Sequence, residues 1–326
     1  MAGFELYAPR LATHRRTWTL AVIGLCLLFN TVAGVIAFIP YIMDTVQFIA
    51  THPNVTPAMV PKPSMDGLWF LIVPCVLEIV MVWAWIAVFE RRTPAAIGFN
   101  GHGLLRFVRG YLVGCAMLVF VVGSIWLLGG YKIESPGFWE APTAAALAPI
   151  LIYVIGFVIQ GSSEEVLMRG WLMQLVASRH GIVLAVIINS MLFGAAHLGN
   201  PGSLVPKLMG CGNVALFGVF ISLYACRERS LWGVCGWHGA WNWLLGVGFG
   251  LEVSGLKLKV APLVVDLMDV PNRPVWLTGA EWGPEASVVT TLMLVTGIAI
   301  LVWKGALKPG ESYAVPVVEE PPEEAY

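Results

Sequence analysis

The chain has 326 residues and a formal net charge of −1, and 58% of its residues are apolar while only 12% are charged. An ordinary soluble domain is about 25% charged, so this composition, with a mean hydropathy of +0.78, excludes a soluble protein and predicts an integral membrane protein. The near-zero net charge argues against a nucleic-acid binder, which usually carries a basic patch.

Eight apolar runs are long enough to form membrane-spanning helices, so the sequence predicts an all-α polytopic bundle with its functional site inside. The first run is too long for the apolar region of a signal peptide, which has about 7–15 residues, and we interpret it as a spanning helix. The fourth run exceeds the roughly 20 residues that a bilayer requires, so one of its ends is expected to project beyond the membrane. The predicted spans are residues 18–42, 67–89, 111–128, 143–177, 182–198, 208–226, 231–250 and 286–303.

Two terminal segments flank the transmembrane domain, which we predict over residues 18–304. Residues 1–17 form a short basic head, predicted to be cytoplasmic. Residues 305–326 are acidic and rich in proline, a composition typical of disorder. No stretch is large enough to form a separate soluble domain.

The distribution of Lys and Arg predicts the orientation in the membrane. With eight spans, the loops on the side of the N-terminus hold 13 of the 19 Lys and Arg residues. The positive-inside rule then predicts that both termini are cytoplasmic. The 13 residues are Arg10, Arg15, Arg16, Arg91, Arg92, Arg106, Arg109, Arg169, Arg179, Arg227, Arg229, Lys304 and Lys308.

The stretch 160–200 combines ionisable residues with apolar runs. Glu164, Glu165 and Arg169 lie in the fourth predicted span, and His197 lies at the end of the fifth. Ionisable side chains at membrane depth are energetically costly, so they indicate a functional site. Four-residue spacing pairs Glu165 with Arg169 on one helix face. Glu164 is one residue earlier and therefore points about 100° away.

A second polar cluster lies in the seventh predicted span. His238 and Asn242 are four residues apart, which places them on one face of a helix. The same spacing places Phe193 and His197 on one stripe of the fifth span. Each cluster alone could be structural: the carboxylates and Arg169 could form a buried ion network, and the other polar residues could simply hydrogen-bond neighbouring helices.

A geometric argument brings Glu164 and His197 together. If residues 179–181 form the turn of a helical hairpin, with Gly181 as the helix breaker, both residues are equidistant from the turn. They would then lie at the same depth on antiparallel helices, where they could share one site.

The three motifs, in this order, resemble the signatures of the CAAX protease and bacteriocin-processing (CPBP, or ABI) family of intramembrane endopeptidases. The matching patterns are Glu-Glu-x-x-x-Arg, Phe-x-x-x-His and His-x-x-x-Asn. The resemblance implies a peptide hydrolase with its core at about residues 143–250. Relatives include proteases that cleave prenylated CAAX tails and bacterial proteins tied to bacteriocin processing or self-immunity. The resemblance therefore implies a membrane-associated protein or peptide as substrate, lipidated in some relatives, and a location in the bacterial plasma membrane.

The resemblance also implies a role for four of the motif residues. Peptide hydrolysis requires an activated water and a group that stabilises the oxyanion. Glu164 together with His197 would activate water. His238 and Asn242 would face the developing oxyanion.

The remaining motif residues are predicted to support this machinery. They are Glu165, Arg169 and Phe193. Arg169 can neutralise Glu165, whereas Glu164 has no such partner in its own helix, so we predict that Glu164 is the base and Glu165 mainly a structural partner. Phe193 is interpreted as packing that orients His197.

The sequence leaves the cofactor open, with either no metal or one divalent ion such as zinc. Two histidines and a glutamate can bind zinc, and the ligands would be Glu164, His197 and His238. The family has been described both as metal-dependent and as a metal-free glutamate protease. We favour the metal-free mechanism, because the chain has no His-Glu-x-x-His motif. Serine and cysteine chemistry are poorly supported, since neither Gly-x-Ser-x-Gly nor a recognisable Cys/His motif is present.

The alternative class is a non-enzymatic membrane transporter or bacteriocin-immunity scaffold whose Glu/His cluster binds protons or an ion. A transporter would favour inverted repeats or helices broken at matched positions. The sequence has neither feature.

Overall fold

The computed structural model describes residues 5–52, 54, 56, 59 and 68–307 of the chain. Helices dominate this part, and six of them are long and apolar enough to cross a membrane. The structure thus confirms the predicted polytopic helical bundle. The six helical stretches are Thr19–Thr51, Leu68–Glu90, Gly103–Leu127, Ala144–His180, Ile182–Gly199 and Leu204–Glu228.

The elements are labelled in chain order. Three α-helices continue into π-helical segments, which widen the helix by one residue per turn: Trp85–Glu90 after α3, Val166–Leu172 after α5 and Leu244–Gly248 after α9. The helices are α1 (Thr19–Ala37), α2 (Ile39–Thr51), α3 (Leu68–Ala84), α4 (Gly103–Leu127), α5 (Ala144–Glu165), α6 (Met173–His180), α7 (Ile182–Ala196), α8 (Leu204–Glu228), α9 (Trp232–Trp243), α10 (Val275–Thr278) and α11 (Val288–Trp303).

The last two predicted spans correspond to shorter helices. α9 has 12 residues before its π-helical extension, and α11 has 16 residues. Both are shorter than the roughly 20 residues that a bilayer requires, so the count of eight spans remains a prediction. One boundary differs clearly, because α4 begins at Gly103 rather than near residue 111. Residues 103–110, which precede the predicted span, include Leu, Phe and Val and extend the helix towards the N-terminus.

The fourth of the six helical stretches runs without a break from α5 through the π-helical segment to the end of α6 and covers 37 residues. At 1.5 Å per residue it is about 55 Å long, well beyond the ~30 Å hydrocarbon core of a bilayer. The side chain of Thr143 accepts a hydrogen bond from the Ala146 amide and caps its start. The helix ends at His180, and Gly181 turns the chain with a φ of +87° before α7 begins at Ile182. The predicted hairpin and its glycine breaker are therefore confirmed.

The predicted basic head folds onto the bundle. Glu5 forms ion pairs with Arg10 at 2.8 Å and Arg92 at 3.0 Å, and it accepts a hydrogen bond from Gln174 in α6. The head, the segment after α3 and the end of α6 therefore meet at one end of the molecule, as the grouping of basic loops predicts. Counting Arg169 among those loops was wrong, because this residue is fully buried in the bundle.

The opposite end carries a small sheet that the sequence did not predict. Strand β1 (Tyr131–Ser135) pairs antiparallel with β2 (Asp266–Asp269), with Tyr131 opposite Asp269. The two strands are far apart in sequence, so their pairing depends on the packing of the loops. Some predicted features fall wholly or partly outside the described residues: Met1 to Phe4 of the head, the first residue of the second predicted span, and the tail from residue 308 onward, including Lys308.

Glycines bring α9 against its two neighbours in the centre of the bundle. A Cβ atom on Gly110 of α4 would lie 1.9 Å from the carbonyl oxygen of Gly233, and one on Gly161 of α5 would lie 2.9 Å from the amide nitrogen of Gly239. Neither position can carry a larger side chain without moving a backbone. This close approach places the acidic end of α5 directly beside His238.

Candidate active site

The Glu165–Arg169 pair is completely enclosed by the bundle. Glu165 is the last residue of α5 and Arg169 lies in the π-helical segment that follows. Nη1 of the arginine lies 3.2 Å from Oε1 of the glutamate, and both side chains are 0% exposed. The guanidinium also lies over the Phe193 ring, 4.3 Å from its centroid, which is a cation–π geometry. The pairing that the four-residue spacing predicts is therefore present.

His238 lies between the two glutamates. Its Nδ1 is 2.8 Å from Oε1 of Glu165, and its Nε2 is 3.6 Å from Oε2 of Glu164. A carboxylate can only accept a hydrogen bond, so Nδ1 carries the proton and Nε2 points towards Glu164. Glu165 thus has a second contact besides Arg169, and it orients the imidazole.

The two adjacent glutamates have different surroundings. The Glu164 side chain is 27% exposed, whereas that of Glu165 is 0% exposed. Glu164 lines a cavity of about 350 Å³ in the bundle. A carboxylate that opens onto a cavity can meet a water or a substrate atom, whereas an enclosed carboxylate cannot.

A glutamine connects Glu164 to Asn242. Nε2 of Gln160 donates to Oε1 of Glu164 at 2.7 Å, and Nδ2 of Asn242 donates to Oε1 of Gln160 at 2.9 Å. Asn242 therefore has a polar partner on another helix, because α5 and α9 pack closely enough for Gln160 to reach it.

His197 lies in the single 3-10 turn that ends α7. Its Nδ1 lies 2.9 Å from the carbonyl oxygen of Phe193, so this nitrogen is the donor and Nε2 is left to accept a proton or a hydrogen bond. The Phe193 ring packs edge-on against the imidazole, with centroids 4.9 Å apart. The structure brings His197 and Glu164 to the wall of the same cavity.

The four motif residues predicted to react therefore share one cavity, and two supporting residues lie immediately behind it. The cavity is lined by Glu164, His197, His238 and Asn242, and also by Phe193. Behind the wall, Glu165 and Arg169 hold His238 and Phe193. A loop closes one side of the cavity, where Glu285 accepts hydrogen bonds from Trp241 and Ser254.

Sequence reasoning missed several polar side chains of the cavity, among them Gln160 and Glu78. Gln160 carried no motif that would have identified it. Glu78 of α3 is 3% exposed, lines the cavity, and its Oε1 has no hydrogen-bond partner in the described part of the chain. An isolated acidic residue in an apolar span is costly, so the rule that identified Glu164 could also have found Glu78.

The arrangement does not present a ready-made metal site. Among residues 5–52, 54, 56, 59 and 68–307, no three His, Cys, Asp or Glu side chains converge as metal ligands would. Nδ1 of His238 and Nδ1 of His197 are engaged by Glu165 and by the Phe193 carbonyl, which leaves Nε2 of each ring without such a partner. Metal-binding histidines commonly have this arrangement, so the choice between no metal and one divalent ion stays a prediction.

Comparison with known proteins adds one finding. Residues 146–244 match a family model described as "Rce1-like: Type II CAAX prenyl endopeptidase Rce1-like". This match supports the resemblance to the CPBP family that the three motifs indicate. The match begins in α5 and ends just after α9, so it contains every motif residue of the CPBP pattern. No curated protein matches the chain.

The family match indicates the kind of function. Together with the apolar helices, it identifies an integral membrane enzyme of the CAAX endopeptidase type, a peptide hydrolase. Proteases of this kind act on membrane-associated prenylated proteins.

Proposed function

We propose that this protein is an intramembrane endopeptidase in which Glu164 and His197 activate water while His238 and Asn242 stabilise the oxyanion. The observation that carries the proposal is the shared cavity. A partly exposed base, a histidine with a free acceptor nitrogen and two further side chains with N–H groups all line it. Such an arrangement supplies both requirements of peptide hydrolysis within one site.

The first step is the activation of water. Glu164 takes a proton from a water molecule held between its carboxylate and Nε2 of His197, which accepts a hydrogen bond from the same water. The hydroxide attacks the carbonyl carbon of the scissile peptide bond. Nδ1 of His197 keeps its proton throughout and donates it in a hydrogen bond to the Phe193 carbonyl, so the ring keeps its acceptor nitrogen towards the cavity.

The second step is the collapse of the tetrahedral intermediate. Its oxyanion accepts hydrogen bonds from Nε2 of protonated His238 and from Nδ2 of Asn242. Glu165 favours the protonated ring, because its carboxylate accepts the Nδ1–H. As the carbon–nitrogen bond breaks, Glu164 returns its proton to the leaving amine. One water is consumed, and one carboxyl terminus and one amino terminus are formed.

The proposed substrate is a membrane-associated protein or peptide that carries a prenylated CAAX tail. The family match supports the substrate class. We further propose that the protein lies in a bacterial plasma membrane with both termini cytoplasmic. The meeting of the basic head, Arg92 and the end of α6 at one end of the bundle supports this orientation. The transporter alternative is not favoured, because the family match is to an endopeptidase.

A cleavage assay with purified protein tests the proposal. Liposomes containing the full chain are incubated with a farnesylated CAAX peptide, the same peptide without the prenyl group, and a farnesylated peptide with a scrambled tail. Mass spectrometry then locates any new carboxyl terminus. We expect cleavage within the tail of the farnesylated CAAX peptide. Absence of cleavage of all three peptides, by folded protein, would contradict the proposal.

A further inference from the structure

Gln160 lies between the proposed base, Glu164, and the proposed oxyanion donor, Asn242. It is one helical turn before Glu164 on α5, and its side chain lines the same cavity. One end of its amide contacts Glu164 at 2.7 Å and the other end contacts Asn242 of α9 at 2.9 Å. Neither the CPBP motifs nor the roles assigned above include this residue.

The direction of each hydrogen bond follows from the chemistry of the partners. A carboxylate has no proton to donate, so the NH2 group of Gln160 must face Glu164. Its carbonyl oxygen then faces Asn242, and Asn242 must turn its own NH2 group towards that oxygen. An NH2 group has two N–H bonds, and only one of them is used here. The second N–H remains available for the cavity.

We infer that Gln160 is a positioning residue that fixes the amide of Asn242 in the orientation that donates to the oxyanion. This inference rests on the proposed oxyanion role of Asn242. Without the glutamine carbonyl, the asparagine amide can rotate by half a turn. It would then present its oxygen, an acceptor, where the negatively charged oxyanion develops.

The amide orientation of Asn242 also depends on Glu164, through the neutral side chain of Gln160. The acceptor character of Glu164 selects the orientation of Gln160, and Gln160 selects the orientation of Asn242. The base and the oxyanion donor lie on different helices, α5 and α9, which the close contact at Gly161 and Gly239 holds together. Gln160 thus links the amide orientation of the proposed oxyanion donor on α9 to the proposed base on α5.

The test is a double-mutant cycle of Gln160→Met and Asn242→Ala, measured as kcat and KM per folded molecule on the farnesylated peptide. Methionine keeps the length of glutamine but neither donates nor accepts strongly. We expect Gln160→Met alone to lower kcat by about 10- to 100-fold with little change in KM. This is less than the roughly 100- to 1,000-fold effect of removing an oxyanion donor, because the freed amide still samples the productive orientation. In the Asn242→Ala background the same substitution should lower kcat by at most about threefold, since interacting residues are not additive.

A matched control is Gln174→Met on α6. Gln174 is also buried, and its amide also has two partners, because it donates to the Glu5 carboxylate and accepts from the Leu6 amide. It does not line the cavity, so its substitution should change stability but not kcat per folded molecule.

The possible outcomes distinguish failure of the positioning role of Gln160 from failure of the proposed function. An unchanged kcat in Gln160→Met, or an equal loss in both backgrounds, would overturn the inference while wild-type cleavage still stands. If Asn242→Ala alone leaves kcat unchanged, the proposed oxyanion role itself fails. A loss of kcat in Gln174→Met as large as in Gln160→Met would show that the effect comes from general helix packing.

Discussion

Nδ1 of His238 lies 2.8 Å from Oε1 of Glu165, and the same carboxylate oxygen lies 3.2 Å from Nη1 of Arg169. The enclosed carboxylate of Glu165 therefore contacts both His238 and Arg169. It compensates the charge of a fully buried guanidinium, and it fixes the histidine that faces Glu164. The adjacent glutamates divide structural and chemical roles between them because they point in directions about 100° apart on the helix.

Glu165→Gln should lower the melting temperature and also kcat per folded molecule. The substitution leaves Arg169 buried without the carboxylate that contacts it, and a broken buried ion pair costs about 3–5 kcal/mol. It also replaces the charged acceptor of the His238 Nδ1–H. Glu90→Gln is the matched control, because Glu90 is also buried but accepts hydrogen bonds from the neutral groups of Thr17 and Trp171. A Glu165→Gln protein as stable as wild type would contradict the structural part of its role.

Asn242→Ala should lower kcat by about 100- to 1,000-fold, equivalent to about 2.7–4 kcal/mol in the barrier, while KM changes little. The reason is that the second N–H of the amide, the one not donated to Gln160, meets the oxyanion, which is absent from the bound ground state. Asn189→Ala is a suitable control, since Asn189 is buried but bonds Ser222 of α8 instead. An unchanged rate in Asn242→Ala would leave this residue as a helix-packing contact to Gln160.

Cleavage should survive exhaustive chelation. The predicted ligands Glu164, His197 and His238 line one cavity, yet the described residues offer no converging set of three metal ligands. The measurement is proteolysis before and after treatment with a membrane-compatible chelator, with the residual metal content determined. Loss of activity that one equivalent of zinc restores would instead assign ligand roles to these three residues.

Reporter fusions should place both termini in the cytoplasm. The prediction rests on the basic loops and on a count of eight spans, in which α9 and α11 must cross the membrane although they are short. One reporter is fused after Tyr326 and a second is inserted in the loop 251–285. Opposite locations are expected, with the tail inside. A tail reporter that is active outside would mean that the orientation or the number of spans is wrong.

Much of the site could be predicted from local spacing. The Glu165–Arg169 pair and the hairpin at Gly181 depend on residues close together in the chain, and helical geometry alone defines them. The placement of Glu164 and His197 on one cavity followed from their equal distance from that turn. The helical bundle followed from the apolar composition.

Contacts between distant segments could not be predicted in this way. The Glu165–His238 bond and the Gln160–Asn242 bond exist because Gly161 and Gly239 let α5 and α9 approach closely. The pairing of β1 with β2 likewise depends on how two loops fold over the bundle. Such contacts are a property of tertiary packing, and helix periodicity contains no information on which faces meet.

The central claim is that Glu164 is the base. Its side chain opens onto the cavity, whereas that of Glu165 does not. It lies beside His238 and lines the same cavity as His197. Glutamine at position 164 keeps the size of the side chain and one acceptor oxygen. It cannot take a proton from water, so the chemical step should fail although the fold persists.

The most direct measurement is therefore proteolysis of the farnesylated CAAX peptide per folded molecule of Glu164→Gln, together with its melting temperature and those of wild type and Glu165→Gln. We expect Glu164→Gln to be as stable as wild type and without detectable cleavage, while Glu165→Gln is the unstable variant. A stable, inactive Glu165→Gln beside an unstable Glu164→Gln would reverse the two assignments. Cleavage by folded Glu164→Gln at a rate near that of wild type would contradict the glutamate-base mechanism.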